Sequence, residues 1–328
     1  MMNQLKGIHH VTAITSSAAN IYQFYTTILG VRMVKKNVNQ DDVKTYHLYF
    51  GDDRGSAGTA MTFFDFADIA QARHGTNEIS RTSFRVPSDE AIAYYKKRFA
   101  KYRVAYEPVT LFGHQMLFFE DFDGQPYALV SDEHNQGIGS GFPWERGPIP
   151  NEYAITGLGP AFLQVSRLAQ MEALLVQRLG MRKTAVDGNL HQFMMGEGGN
   201  GATVIVEEDL HALPATQGYG GVHHLAFRVE DREELEAWQT NFDRYQMRHS
   251  GYVERFYFGS LYTRPYPEIL FELATDGPGF IDDEESYEIL GEKLTLPPHL
   301  RPYRQQIEEQ LQPFDTVRST KVFAKEYL

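Results

Sequence analysis

Two short strings recur along this 328-residue chain at almost the same spacing. Leu29-Gly30-Val31-Arg32 returns 150 residues later as Leu179-Gly180-Met181-Arg182, and Phe84-Arg85-Val86 returns 143 residues later as Phe227-Arg228-Val229. Both copies of the first string follow a helical run. Both copies of the second precede a helix with an acidic cap, ending in Tyr102-Arg103 or Tyr245-Gln246. Recurrence on this scale means that one supersecondary unit is used repeatedly. In its first copy an alternating run after Gly7 leads to Ser16-Ser17, an N-cap for Ala18 to Leu29. There Ile21, Phe24, Tyr25 and Ile28 fall at helical spacing and Gly30 stops the helix. Val31 to Asn37, Thr45 to Phe50 and Thr59 to Phe66 follow, rich in β-branched and aromatic residues.

The unit is therefore βαβββ, and four copies fit residues 5–66, 79–132, 154–208 and 219–276. Residues 133–153, with several Pro and Gly, read as a linker. Residues 281–328 form a tail in which Arg304 to Leu311 predicts a short helix. Asp121-Phe122-Asp123-Gly124 reads as a hairpin turn. The expected fold class is α+β, with four βαβββ modules forming two half-open β-barrels.

The chain is 42% apolar and 13% aromatic, enough for a large core. It has no cysteine, so a metal would have to be held by imidazole and carboxylate. The formal charge of −12 and the lack of a basic stripe argue against nucleic acid. No apolar run approaches the ~18 residues of a spanning helix. Met1-Met2-Asn3-Gln4-Leu5-Lys6 also has no signal-peptide core. The expectation is a cytoplasmic protein with a small-molecule partner and no membrane; a homo-oligomer is left open.

Two histidine doublets head equivalent strands, His9-His10 in module one and His223-His224 in module four. Strand alternation puts His224 on one face with Ala226 and Arg228, and His223 on the other with Leu225, Phe227 and Val229. At the repeat offsets His10 corresponds to Pro160 and His224 to Arg81. Glu272, between Phe271 and Leu273, corresponds to Ala128. Modules two and three thus lack ligands where modules one and four carry two histidines and a glutamate, which predicts one metal site. An unpaired carboxylate in an apolar strand costs several kcal/mol unless a cation meets it. The competing explanation is a salt bridge from Glu272 to Arg228 or Arg255. Two imidazoles and one carboxylate with open positions match the facial triad of non-haem iron(II) oxygenases, although manganese or zinc can use the same ligands. Ligands drawn from modules one and four require those modules to pair, leaving two with three.

These residues resemble the vicinal oxygen chelate superfamily (glyoxalase, bleomycin-resistance and dioxygenase proteins), and within it the ring-cleaving dioxygenases that act on hydroquinones. The strings that carry the resemblance are Gly7-Ile8-His9-His10-Val11-Thr12, the run Val34 to Asp42 continuing through Thr45 to Asp52, Gly221-Val222-His223-His224, and Phe271-Glu272. It implies that His10, His224 and Glu272 hold Fe(II), and that His9, Thr12, His223, Arg255 and Tyr262 line a pocket for a dihydroxylated aromatic. It also implies O₂ as co-substrate and extradiol-type cleavage beside a hydroxyl-bearing carbon, in a context of quinone and hydroquinone detoxification. His223 or Tyr262 would move the phenolic proton and Arg255 would stabilise anionic oxygen. Simpler readings stand beside these: His9 and His223 as hydrogen-bonded core histidines, Arg255 and Tyr262 as packing. His47, His74, His114, His191 and His211 have no counterpart in the repeat and read as structural or surface residues. Two other activities suit the same fold, a glyoxalase-type lyase or isomerase and a non-catalytic binder of aromatic toxins.

Overall fold

The computed structural model describes residues 4–282 and 284–328; Met1-Met2-Asn3 of the N-terminal run read above lie outside them. Module one comprises β1 (Ile8–Ile14), α1 (Ala18–Gln23), β2 (Arg32–Asn39), β3 (Asp42–Gly51) and β4 (Ala60–Phe64). Module two repeats the order as β5 (Glu78–Val86), α2 (Asp89–Tyr102), β6 (Tyr106–Leu111), β7 (His114–Glu120) and β8 (Pro126–Ser131). Module three has β9 (Gly157–Val165), α3 (Leu168–Ala173), β10 (Arg182–Asp187), β11 (Leu190–Met194) and β12 (Thr203–Glu208). Module four has β13 (Gly221–Val229), α4 (Arg232–Arg244), β14 (His249–Glu254), β15 (Phe258–Thr263) and β16 (Phe271–Pro278).

The strands make two eight-stranded sheets, ordered β14-β15-β16-β13-β1-β4-β3-β2 and β10-β11-β12-β9-β5-β8-β7-β6. Each sheet joins two modules through antiparallel pairing of their first strands, β1 with β13 and β5 with β9. Modules one and four therefore share one half-barrel and modules two and three the other, as the ligand argument requires. Period-2 alternation divides the faces. Leu225, Phe227, Phe271 and Leu273 join the main core with helix residues such as Tyr25, Trp238 and Phe242. Ala226 and Ala274 belong to a second cluster on the opposite face, with Tyr49, Tyr257 and Phe258.

Local sequence sets the helix ends. Ser17, Ser88 and Asp231 cap α1, α2 and α4 by accepting from the backbone N–H three residues on. The expected helix from Ala18 to Leu29 changes character midway, continuing from Phe24 to Leu29 as π-helix, and Leu174–Arg178 repeats this in module three. Gly30 ends the first of these at φ +69°, where an added Cβ would meet Ile149 Cδ1 at 2.5 Å. The 133–153 segment is thus more than a spacer. Trp144 and Ile149 are buried, and Arg85 binds Asp132 and the carbonyls of Ile138 and Gly139.

The tail helix, α5 (Arg304–Glu308), is shorter than expected. More of the tail's attachment comes from buried charge, with Lys35 Nζ 3.1 Å from both Asp282 Oδ2 and Glu285 Oε2. Among the described residues no helix is long and apolar enough to cross a membrane.

Candidate metal centre

β1 and β13 run side by side at the middle of the first sheet, so their histidine doublets meet across the module seam. Simple alternation fails at both. Ile8 and His10 pair with Phe227 and Ala226, consecutive residues of β13, leaving His9 as an extra residue. Ala13 and Thr12 pair with Val222 and His224, leaving His223 as the extra one on its strand. Each doublet therefore contains a β-bulge, a device that re-aims side chains. This corrects the expectation that the first histidines point into the apolar layer. The His9 and His10 Nδ1 atoms are 2.8 Å apart, as are those of His223 and His224.

The second histidines converge with Glu272, which is placed by parallel pairing of β16 with β13, Glu272 opposite Ala226. His10 Nε2 and His224 Nε2 are 3.2 Å apart and lie 3.2 and 3.0 Å from Glu272 Oε2. All three residues are buried, Glu272 completely. Neither Glu272 oxygen has a donor in hydrogen-bond alignment, despite the two close imidazoles. Burial pushes the Glu272 carboxyl up; only imidazoles that present protons to it, or a cation in place of those protons, hold it well below the usual carboxylate range. Arg228 pairs instead with Asp276 and Arg255 with Asp41, so the salt-bridge explanation of Glu272 does not apply. Donors bound at about 2.1 Å to one ion stand about 3.0 Å apart at right angles and about 3.4 Å apart in a tetrahedron. The observed spacing fits three donors on one face of a divalent ion.

Hydrogen bonding sets the tautomers. His9 Nε2 is 3.0 Å from the Thr275 carbonyl, which can only accept. Burial, reinforced by His10, holds the His9 pKa at about 3, so the ring is neutral and its Nδ1 must accept. His10 then donates from Nδ1 and keeps a lone pair on Nε2 facing Glu272. On the other side, an Nε2 lone pair on His224 requires Nδ1–H donation to His223, leaving the His223 proton on Nε2.

The donors open onto a cavity of about 360 Å³ lined by His10, His47, Tyr49, Phe64, His223, His224, Arg255, Phe258, Tyr262, Leu270 and the hairpin tip Asn39 to Asp41. Tyr262 enters because β15 pairs it with Glu272; burial raises its phenol pKa. Arg255 Nε donates to the Tyr262 hydroxyl at 3.2 Å, and Arg255 Nη2 is 3.1 Å from Asp41 Oδ2. Thr12 Oγ1 sits 2.9 Å from His224 Nε2, and His9 packs behind His10 and against Phe258 rather than on the wall.

His47, read from sequence as structural or surface, is on the cavity wall. Its Nε2 is 3.0 Å from Thr62 Oγ1 and its Nδ1 2.7 Å from the Tyr49 hydroxyl. Alternation along Thr45 to Phe50 already placed His47 and Tyr49 on one face, but only the cross-strand register shows which face that is. Thr62 was also missed. It pairs with Thr12, two residues beyond His10, just as Glu272 pairs with Ala226, two beyond His224. Thr62 thus occupies module one's counterpart of Glu272. In the second half-barrel the corresponding pairs are Ser83 with Ala128 and Phe162 with Ile205. Arg81, at the position of His224, lies over the Phe118 ring and donates to the Tyr127 carbonyl. Among the described residues the three-residue cluster of possible metal ligands is His10, His224 and Glu272.

Paired βαβββ modules, with imidazoles and a carboxylate meeting across the seam of one half-barrel, define a vicinal-oxygen-chelate architecture. Residues 7–128 match the model of the Glyoxalase/Bleomycin resistance protein/Dioxygenase superfamily, and the chain belongs to that superfamily. It is 42% identical over 317 residues to "Putative ring-cleaving dioxygenase MhqA" of Bacillus subtilis strain 168, covering 94% of this chain and 99% of that protein. It is 30% identical over 306 residues to the chlorohydroquinone/hydroquinone 1,2-dioxygenase of Sphingobium indicum, covering 90% and 93%. The crystal structure of a "putative dioxygenase" from Bacillus subtilis subsp. subtilis str. 168 superposes with a TM-score of 0.87 at 35% identity, covering 95% of this chain and 98% of that one.

Proposed function

We propose that this protein is an Fe(II)-dependent extradiol-type dioxygenase that opens the ring of a hydroquinone or a related dihydroxylated aromatic. The observation that carries the reading is Glu272: a fully buried carboxylate with no donor in hydrogen-bond alignment, 3.2 and 3.0 Å from the Nε2 atoms of His10 and His224, two histidines that line an aromatic-walled cavity. The names of the relatives support the reaction and the substrate class. The counterpart position of Glu272 supports it further, because a glyoxalase-type metal base would need a carboxylate where Thr62 stands.

Bound at His10, His224 and Glu272, iron(II) would supply Lewis acidity and the one-electron chemistry that lets O₂ react with a closed-shell ring. The protein's own groups do the rest. The cavity suits a single substituted ring, since benzene fills one of about 150 Å³. Phe64, Phe258 and Leu270 exclude water around the ring. Arg255 and Tyr262 present positive charge and a phenolic O–H to anionic oxygen, and His223 can hold or move a proton at Nε2. His9 and Thr12 support the ligands from behind and beside.

An oxygen electrode tests the reading. Fe(II)-loaded protein should consume O₂ with hydroquinone, methylhydroquinone or catechol, and Glu272→Gln should remove most of that rate. Absence of uptake with all three substrates, or turnover unchanged under argon, would replace the dioxygenase with a lyase or a binding protein.

A further inference from the structure

Two fully charged side chains line the cavity beside the triad, Arg255 and Asp41. They arrive on separate hairpins. Asp41 follows Gln40 in the two-residue turn between β2 and β3, where its N–H donates to Asn39 Oδ1 at 3.0 Å. Arg255 opens the turn between β14 and β15. Asp41 Oδ2 meets Arg255 Nη2 at 3.1 Å, and Gln40 Nε2 donates to the Arg255 carbonyl at 2.9 Å. The Asp41 side chain is 73% exposed and that of Arg255 22%, so the carboxylate sits at the rim and the guanidinium inside it.

The other half-barrel serves as a control. Its corresponding turns are Phe112-Gly113 and Gly188-Asn189, none of them charged. These tips meet through the Phe112 N–H and Asp187 Oδ2, 3.2 Å apart, beside an apolar cluster that contains Phe112 and Leu190. A tip-to-tip charged pair thus accompanies the triad; among the described residues the half-barrel without the triad has none.

The pair as a whole is neutral, and this sets what can share the cavity with it. With two of its five N–H groups engaged, by Tyr262 and Asp41, Arg255 still has donors for one ring oxygen. A carboxylate on the ring would bring a further negative charge. It would leave water to find the one full cation on the wall already met by Asp41, and Asp41 itself would repel it. We propose that Asp41 is a specificity-determining residue that reserves the cavity for dihydroxylated rings without a further anionic group and turns ring carboxylates away. The inference rests on the ring-diol reading above and adds which members of that class enter.

Two probes of nearly the same shape, (2,5-dihydroxyphenyl)acetate and 2-(2,5-dihydroxyphenyl)acetamide, differ by one charge. Their dissociation constants are measured anaerobically by calorimetry on Mn(II)-loaded protein, so no turnover is needed. The wild type should bind the amide at least about tenfold more tightly than the acid, the size of one unit charge felt across a few ångströms of partly solvated space. Asp41→Asn, which keeps the size and can still accept from Arg255, should cut that ratio at least about fivefold, and Asp41→Glu should retain it. A purely structural role for the tip would move both ligands together. Equal affinities in the wild type, or an unchanged ratio in Asp41→Asn, overturns the proposal and leaves the ring-diol reading standing. If neither ligand binds while Mn(II) occupies the triad, the ring-diol reading itself falls, and the selectivity with it.

Discussion

His9 contacts no cavity space, yet the lone pair of His10 depends on it. The Thr275 carbonyl fixes the His9 tautomer and His9 fixes that of His10. Outer partners of this kind typically contribute about 10–100-fold to metal affinity. His9→Phe should therefore weaken Mn(II) binding by about that factor in a direct titration, with the fold intact by circular dichroism; unchanged affinity would mean that the His10 tautomer is set in some other way. At this scale the sequence was legible where the repeat could be used as its own control. His10, His224 and Glu272 stand out because Pro160, Arg81 and Ala128 replace them in equivalent modules. It was illegible where position depends on pairing between strands. Thr62 is recognisable as the counterpart of Glu272 only through the β1–β4 register, and two bulges defeat the alternation that would otherwise orient His9 and His223.

The elements around the site are held by contacts that no local pattern announces. The β14–β15 turn carries Arg255 and Tyr257, and the Tyr257 hydroxyl accepts from Asn37 on β2 and bonds Thr295 of the tail. Lys35, on the same strand and completely buried, lies 5.2 Å from the Tyr257 ring centre and pairs with Asp282 and Glu285. Glu285 is itself buried and accepts the N–H of Gly291 and Lys293. Removing one member of a buried pair strands the other, at a cost of about 3–5 kcal/mol. Lys35→Met should lose about that much in urea unfolding, and adding Glu285→Gln should recover part of it. A loss below about 0.5 kcal/mol would show that the tail does not depend on this pair. Caps and β-branched runs in the sequence located the strands and helices well: Ser17 caps α1 and Asp231 gives α4 its acidic cap as expected, whereas α2 is capped by Ser88 in place of an acidic residue. The π-helical turns at Phe24–Leu29 and Leu174–Arg178 were not visible, because their apolar spacing also suits an α-helix.

Across the whole molecule, one fold is built twice, and among the described residues the cluster of possible metal ligands lies in one copy. Both half-barrels keep irregular pairing where their central strands meet, but the second places Arg81 against Phe118 where the first has His224. The pairing of modules one with four was inferable from sequence because His10 had to meet His224 and Glu272, 214 and 262 residues further on, at one ion. The depth and outline of the cavity were not, since Arg255, Asp41 and Tyr262 reach it through separate hairpins. The central claim is a single metal ion at the seam of modules one and four, and iron-edge anomalous diffraction from crystals reconstituted with Fe(II) tests it most directly. The account predicts one peak per chain, about 2.0–2.2 Å from His10 Nε2, His224 Nε2 and a Glu272 oxygen. A peak in the half-barrel of modules two and three, or no peak at the triad in protein that still opens the ring, would contradict it.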